Sequence, residues 1–580
     1  MTGLLLAALL AASPHDALTK LVDDYDTFDR QTDPISAGQE GDREALSRWP
    51  DDSPAALAEQ AKTLQSLKMR LVAIPASGLG ADDALNRALL VVILDDRLEE
   101  LALDTARMPF TDQDGFWTYP NYLGHVTAIH DRFEADAWLA RLAGIPHFYD
   151  VEIANARRGM ATGFTQHKTT VEATLVSARE MAKVEPEKSA LILPLEKLPS
   201  SIPAKEQAEL RAKALALVRD GVLPAQRAFV RFLETEYLPK ARASLAIRDV
   251  PNGEAVYAHA IRHYTTTNRS PDELFDLGQS EVKRIRAEMD QAMAAAGFHG
   301  TFAEFQKFLH TEPRFYARTR EELLEKASEI AKRIDDTLPR EFGTLPRLTY
   351  GVRPVPREIE ETYTTGRYFE GSPAQGQAGG LMINTSHLDQ RPLYELPALV
   401  LHEGVPGHHL QIALAQELHD LPAFRRHGDF TAFVEGWGLY SEQLGVELGI
   451  YRDPYEQFGR LSYEMWRACR LIADSGIHWK RWTREQARAC FAENTALSPK
   501  NIDVELDRYI AWPGQALAYK VGELELMRLR HHAEEKLGSR FDVRRFHDAV
   551  LLQGALPMEL LAQRVDAWIA EELKRPTAGP

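Results

Sequence analysis

Two cysteines in 580 residues, Cys469 and Cys490, are too few for a thiolate zinc cluster or a disulfide-stapled scaffold. One bridge is arithmetically open, but each cysteine lies in a helix-like segment, and buried free thiols are the expectation. Long apolar runs are also missing. No stretch approaches the roughly 20 residues that a membrane helix needs, so no integral membrane segment is expected. Basic excess is absent as well: 68 Lys and Arg stand against 85 Asp and Glu, a net charge of −17. That balance argues against nucleic acid, which rewards basic stripes, and against an anionic membrane surface. No Gly-x-Ser-x-Gly elbow of a serine hydrolase occurs, nor a strand–GxGxxG–helix order for a nucleotide. Internal repeats and low-complexity tracts are lacking.

What is present is ordinary globular composition, 44% hydrophobic and 26% charged, in a chain long enough for two or three subdomains. Residues 1–14 hold an apolar core of signal-peptide length followed by small residues, although no Lys or Arg precedes it. Export to the periplasm or beyond is the expectation, with a docked N-terminal helix in a cytoplasmic protein as the alternative. Apolar spacing of three and four predicts helices over 55–72 and 81–103. Ser270-Pro-Asp-Glu273 is a helix start, with Ser as N-cap and acids in the first turn. That helix and another over 318–337 mix acid and base, which reads as solvated faces. Residues 15–340 are therefore expected to form a mainly helical domain. From about 345 the texture changes, with strands expected at 348–356 and 379–386 and a Gly-rich loop between them.

The stretch from Ala398 to Gln411 carries the chemistry. Leu399 to Leu401 lead into His402-Glu403, and His408 and His409 follow. Zinc peptidases place two histidines and a general base on one helix, with the histidines four apart; here Pro406 occupies that position. His402 and His409, seven apart, share a helical face, while His408 does not. Either pair is roughly 9–10 Å apart along a straight helix, too far to share an ion bound at about 2.0–2.1 Å. The Gly404-Val-Pro-Gly407 insert must then kink or bulge the helix. Glu435, at the start of a helical segment with Gly436 and Gly438, offers the third ligand. Glu403 is placed to take a proton from the activated water.

The string His402-Glu403-x-x-Pro406-Gly407-His408-His409-Leu410-Gln411, followed by Glu435-Gly-Trp-Gly-Leu-Tyr440, resembles the signature of a bacterial family known as domain of unknown function 885, regarded as zincin-like, with many exported members. Its motifs resemble, with an insertion, the His-Glu-x-x-Gly-His and downstream Glu pattern of gluzincins. The resemblance implies a mainly α, zincin-like architecture with a small sheet beside the catalytic helix, residues 341–580 forming the catalytic domain. It implies a zinc ion held by His402, His408 and Glu435, with His409 the alternative second ligand, and Glu403 as general base. It further implies a peptide substrate cut by hydrolysis, with 379–386 as the exposed edge that receives it. The Asp474-x-Gly-Ile-His478 run, shared with that family, makes His478 a candidate for stabilising the oxyanion. Tyr519 on a late helix is the other, with Tyr509 in reserve. An inactive helical zincin-like binding protein is the rival reading, against which the presence of Glu403 counts.

Overall fold

The structure, a computed structural model, describes residues 13–111, 115–357, 360, 363–372 and 376–576. The stretch expected to be a signal peptide lies, up to residue 12, outside them. Helix makes up 71% of the chain and strand 4%, so the class is mainly α with one small sheet. The chain divides into two compact units, residues 1–243 with 250–252, and residues 244–249 with 253–580. The division falls near residue 250 and not at the expected 340, because the helices after 253 pack with the C-terminal ones.

In the first unit, helices α1 (Pro14–Thr32), α2 (Pro54–Ala73) and α3 (Ala81–Leu103) lead into α4 (Arg132–Thr162), α5 (Lys168–Lys183) and α6 (Leu223–Phe232). Ser13 caps α1: its hydroxyl accepts the Asp16 N–H, and Asp16 accepts the Ser13 N–H in return. The core between α4, α5 and α6 is apolar and rich in aromatics. The rings of Phe116 and Phe229 meet edge to face with centroids 4.9 Å apart, the geometry the ring quadrupoles favour.

In the second unit, α7 (Pro271–Ala295) begins at Ser270, where Ser270 and Glu273 form a capping box. α8 (Arg320–Asp335) precedes strands β1 (Tyr350–Pro354), β2 (Gly366–Phe369) and β3 (Gly379–Ile383). Then come α9 (Leu396–Glu403), α10 (His408–Gln416), α11 (Thr431–Glu447), α12 (Pro454–His478), α13 (Arg484–Asn494), α14 (Pro499–Ala511) and α15 (Ala518–Leu537). β1 pairs parallel and β2 antiparallel with β3, giving the order β1-β3-β2. The strand expected as an exposed edge is therefore the centre of the sheet. The edge whose Tyr368 N–H meets Glu403 at the end of α9 is β2, within the segment expected to be loop.

α12 is the axis of this unit, and almost all of it is buried. Arg460, Glu464, Arg467, Arg470, Asp474 and His478 recur along it every three or four residues, and all are buried. Buried charges need partners, and the neighbouring helices supply them. Lys520 of α15 donates to Glu464 at 2.7 Å and Glu523 at 2.6 Å, and lies 3.2 Å from Glu281 of α7. The mixed charges of α7 are thus only partly a solvated face. α13 is bonded to α12 by a disulfide, Cys469–Cys490, with Cα atoms 5.7 Å apart. This corrects the expectation of free thiols: the two helices pack so that the cysteines meet within ordinary bridging distance.

Candidate metal centre

α9 is an apolar rod whose side chains from Leu396 to His402 are all buried. It ends at Glu403. Gly404 turns the chain, and a Cβ on Gly407 would come 1.9 Å from the His402 carbonyl oxygen, an approach only glycine permits. The Gly407 N–H donates to the Leu401 carbonyl at 3.0 Å, and His409 N–H to the Gly404 carbonyl at 3.1 Å. α10 then starts at His408. So the insert does not kink or bulge one helix, as the sequence led us to expect. It ends the first helix and restarts a second, folding His408 back onto His402 until their ring centroids are 4.7 Å apart.

α11 closes the site. A Cβ on Gly438 would lie 2.5 Å from the His402 ring, so this glycine lets the helix backbone press against the imidazole. Trp437 Nε1 donates to the Pro406 carbonyl at 2.8 Å and holds the turn. Glu435 Oε2 then lies 3.3 Å from His402 Nε2 and 3.5 Å from His408 Nε2. Ligand atoms on a tetrahedral zinc at about 2.0–2.1 Å are separated by about 3.3–3.4 Å, so these two separations are ones that ligands of a single ion could have. His402, Glu403 and His408 also present ligand atoms within 4.8 Å of one another.

Behind this triad, Glu442 Oε1 is 2.8 Å from His402 Nδ1 and fixes the ring with Nε2 towards the site, the usual outer partner of a metal histidine. Glu442 did not emerge from the sequence, yet it had a signal: it stands seven residues after Glu435, two turns along the same face. Burial would depress His402, but its hydrogen bonds to Glu435 and Glu442 outweigh it and raise the group to about 9. Burial would raise Glu435, but the bonds to His402 and His408 hold it well below the usual carboxylate range.

The structure does not bring every candidate to this place. His409 turns to the sheet, with Nδ1 3.0 Å from the Tyr368 hydroxyl and Nε2 3.0 Å from the Leu348 carbonyl. Burial lowers it to about 4. Its nitrogens thus face the sheet and not Glu435, whereas His408 turns Nε2 to Glu435, with its Nδ1 buried and without a hydrogen-bond partner among the described residues. His478 is also committed elsewhere: Nδ1 accepts from the Ile247 N–H at 3.1 Å and Nε2 is 2.8 Å from the Tyr509 carbonyl. Its imidazole holds backbone and is not available to an oxyanion. Tyr509 is buried, and its hydroxyl is taken up by Glu505 at 2.7 Å, Arg470 at 2.9 Å and Trp466 at 3.1 Å. Tyr519 is only half buried. Burial and then Glu435 raise its phenol, and Arg470 and Arg508 pull it back down; the Arg470 guanidinium lies 4.2 Å from its ring centroid. Glu403 accepts the Tyr368 N–H at 2.8 Å, so the edge of β2 orients the expected base.

Over residues 34–565 the chain matches the family described as bacterial protein of unknown function (DUF885). No curated protein matches. Among solved structures, one from Colwellia psychrerythraea, described as a "putative lipoprotein", is similar with 28% identity and a TM-score of 0.91, over 97% of this chain and 100% of that one. A second, from Shewanella oneidensis and described as a "putative lipoprotein of unknown function", has 17% identity and a TM-score of 0.71, over 95% and 99% of the two chains. The second likeness is one of fold.

Proposed function

We propose that this chain, which belongs to the DUF885 family of bacterial proteins, is a zinc-dependent hydrolase of peptide bonds. The observation that carries the reading is the convergence of His402 and His408 Nε2 on one oxygen of Glu435, at 3.3 and 3.5 Å. Two imidazoles and a carboxylate leave a fourth position of a tetrahedral ion open, the pattern of catalytic zinc sites. Zinc bound there would supply Lewis acidity and a water acidified to about neutral pH. Glu403, held by the Tyr368 N–H, would take a proton and return it to the leaving amine. Tyr519, whose phenol the charge of Glu435 helps to raise, would donate its hydrogen to charge developing on the scissile carbonyl. Glu442 keeps His402 in the correct orientation. The Cys469–Cys490 bridge suits an oxidising compartment. Together with the lipoprotein descriptions of the structural relatives, it supports a periplasmic or secreted location. No described helix is long and apolar enough to cross a membrane.

Elemental analysis of protein purified without chelator tests the reading. About one zinc per chain in the wild type, lost in Glu435→Ala, is expected; Glu403→Gln should keep the metal while turnover falls roughly 10²–10⁴-fold. A chain that takes up no stoichiometric metal when zinc is supplied overturns the proposal. Metal without peptide hydrolysis favours the rival, an inactive zincin-like binder.

A further inference from the structure

Glu442 of α11 is buried, and its Oε1 meets His402 Nδ1 at 2.8 Å. An imidazole that holds a metal ion is neutral, so it gives this carboxylate a hydrogen bond but no balancing charge. A buried carboxylate needs a cation beside it. Among the described residues one side chain besides His402 stands within ion-pair distance of Glu442. It is Arg467 of α12, whose Nη2 lies 3.6 Å from the same Oε1.

Packing alone does not call for a charge there. Arg467 is buried, its Nη1 donates to the Tyr463 carbonyl at 3.3 Å, and its Nε has no hydrogen-bond partner among the described residues. The guanidinium rests against aromatic rings, with Cζ 4.5 Å from the ring centroid of Trp466, 4.8 Å from Tyr463 and 5.9 Å from Tyr519. Arg470 leans on two of the same rings, 4.4 Å from Trp466 and 4.2 Å from Tyr519. It spends its donors on α14, with Nε on the Tyr509 hydroxyl at 2.9 Å and Nη2 on Glu505 at 3.0 Å. One arginine of the pair thus ties two helices together, while the other has only Glu442 to answer. A buried guanidinium short of hydrogen bonds is costly, and an apolar side chain would pack on those rings without that cost. What the charge adds is its pull on Glu442. At 3.6 Å the pair is beyond hydrogen-bond length, so Arg467 attracts the carboxylate without drawing the oxygen off the imidazole.

Resting on the zinc reading, we propose that Arg467 is a positioning residue for the metal. Its charge, caged by aromatic rings, holds Glu442 on His402 Nδ1 and thereby keeps His402 Nε2 turned towards Glu435. Arg467 touches neither metal nor substrate. It acts through Glu442 alone.

The test is the zinc Kd of the full chain, measured by competition with a chelator, so no substrate is needed. Glu442→Gln should weaken zinc about 10–100-fold, and Arg467→Met about tenfold, the low end for an outer partner of a metal ligand. Arg467→Lys, which keeps the charge, should recover most of that loss. If Arg467→Met does not fold, Arg467→Gln replaces it with the same loss expected. In a Glu442→Gln background Arg467→Met should change Kd by less than about twofold, because the partner it acts through is gone. Arg470→Met controls for packing: it removes a guanidinium from the same rings, and should lower the melting temperature but leave Kd at the wild-type value. In zinc-loaded protein carrying 15N-histidine, the His402 Nδ1–H signal, identified by its shift in Glu442→Gln, should exchange faster in Arg467→Met. Wild-type affinity in folded Arg467→Met or Arg467→Gln overturns the proposal and leaves the zinc reading intact. Losses that add in full in the double variant also overturn it, because Arg467 would then act by another route. A wild type that binds no zinc sinks the zinc reading, and this inference with it.

Discussion

The two units solve the problem of a helical core in opposite ways. In the first, α4, α5 and α6 close over an aromatic cluster around Phe116, Tyr149 and Phe229, and buried polar groups are few. In the second, a buried stripe of charge runs the length of α12 and is answered by Lys520, Glu442, Glu505 and Tyr257 on neighbouring helices. Apolar packing is forgiving in detail. A buried ionic network is not, because every member depends on the others. The difference bears on the candidate site: Glu442, which orients His402, lies 3.6 Å from Arg467 of the stripe, so the proposed metal position is joined to that network.

The sharpest way to break the comparison is to remove one member from each core. Lys520→Met keeps the volume but leaves Glu523 without its cation, while Glu464 keeps Arg460 and Arg284 and Glu281 keeps Arg284, and should cost about 3–5 kcal/mol. Phe229→Leu stays apolar and nearly fills its place, and should cost about 1.5 kcal/mol. Denaturant melts of the two variants measure both. Equal losses would mean that the charged stripe is no more demanding than the aromatic core.

Acidity should separate the units next. On α14, burial opposes but Arg508 and Arg470 prevail, holding Glu505 down to about 2. Its contribution is present above the ordinary carboxylate pKa of about 4.3 and is lost as pH falls through about 2. On α4, burial and then Asp52 push Glu152 up. A raised acid has the reverse sign: its contribution is present below the ordinary value and disappears as pH rises. Hydrogen exchange should accordingly speed up in α14 on acidification and in α4 on alkalinisation. Glu505→Gln and Glu152→Gln should each flatten their own limb only. A single limb shared by both helices would show that the two cores titrate as one.

How far the sequence carried the fold follows the same division. Helices over 55–72, 81–103 and from Ser270 onward stand where apolar periodicity and capping residues put them, because these are local signals. β2 escaped because four residues, Gly366-Arg-Tyr-Phe369, sit inside a glycine-rich segment; what makes them a strand is pairing with β3. The disulfide escaped because helix spacing says nothing about which helices meet. α7 read as solvated because its pattern of acids and bases is the same whether water or Lys520 answers it. At the site, His402, Glu403, His408 and Glu435 were legible from motif and resemblance. The choice between His408 and His409 was not, since a helix that ends and restarts cancels the phase argument. Glu442 has meaning only through the His402 ring it faces.

The smallest effect tests that last distinction, between local signals and partners supplied by the fold. Ser270 accepts the Glu273 N–H at 3.2 Å, and Glu273 accepts the Ser270 N–H at 2.7 Å. Both residues are at the surface, and nothing beyond the first turn of α7 takes part. Ser270→Ala should therefore cost about 1 kcal/mol, the usual worth of an N-cap, and leave zinc content unchanged. The same loss should appear in a Lys520→Met background, because a cap remote from the stripe adds to it independently. A clearly larger or smaller loss in that background would mean that the end of α7 is coupled to the charged stripe through Glu281, and that the helix start is a local feature in sequence only.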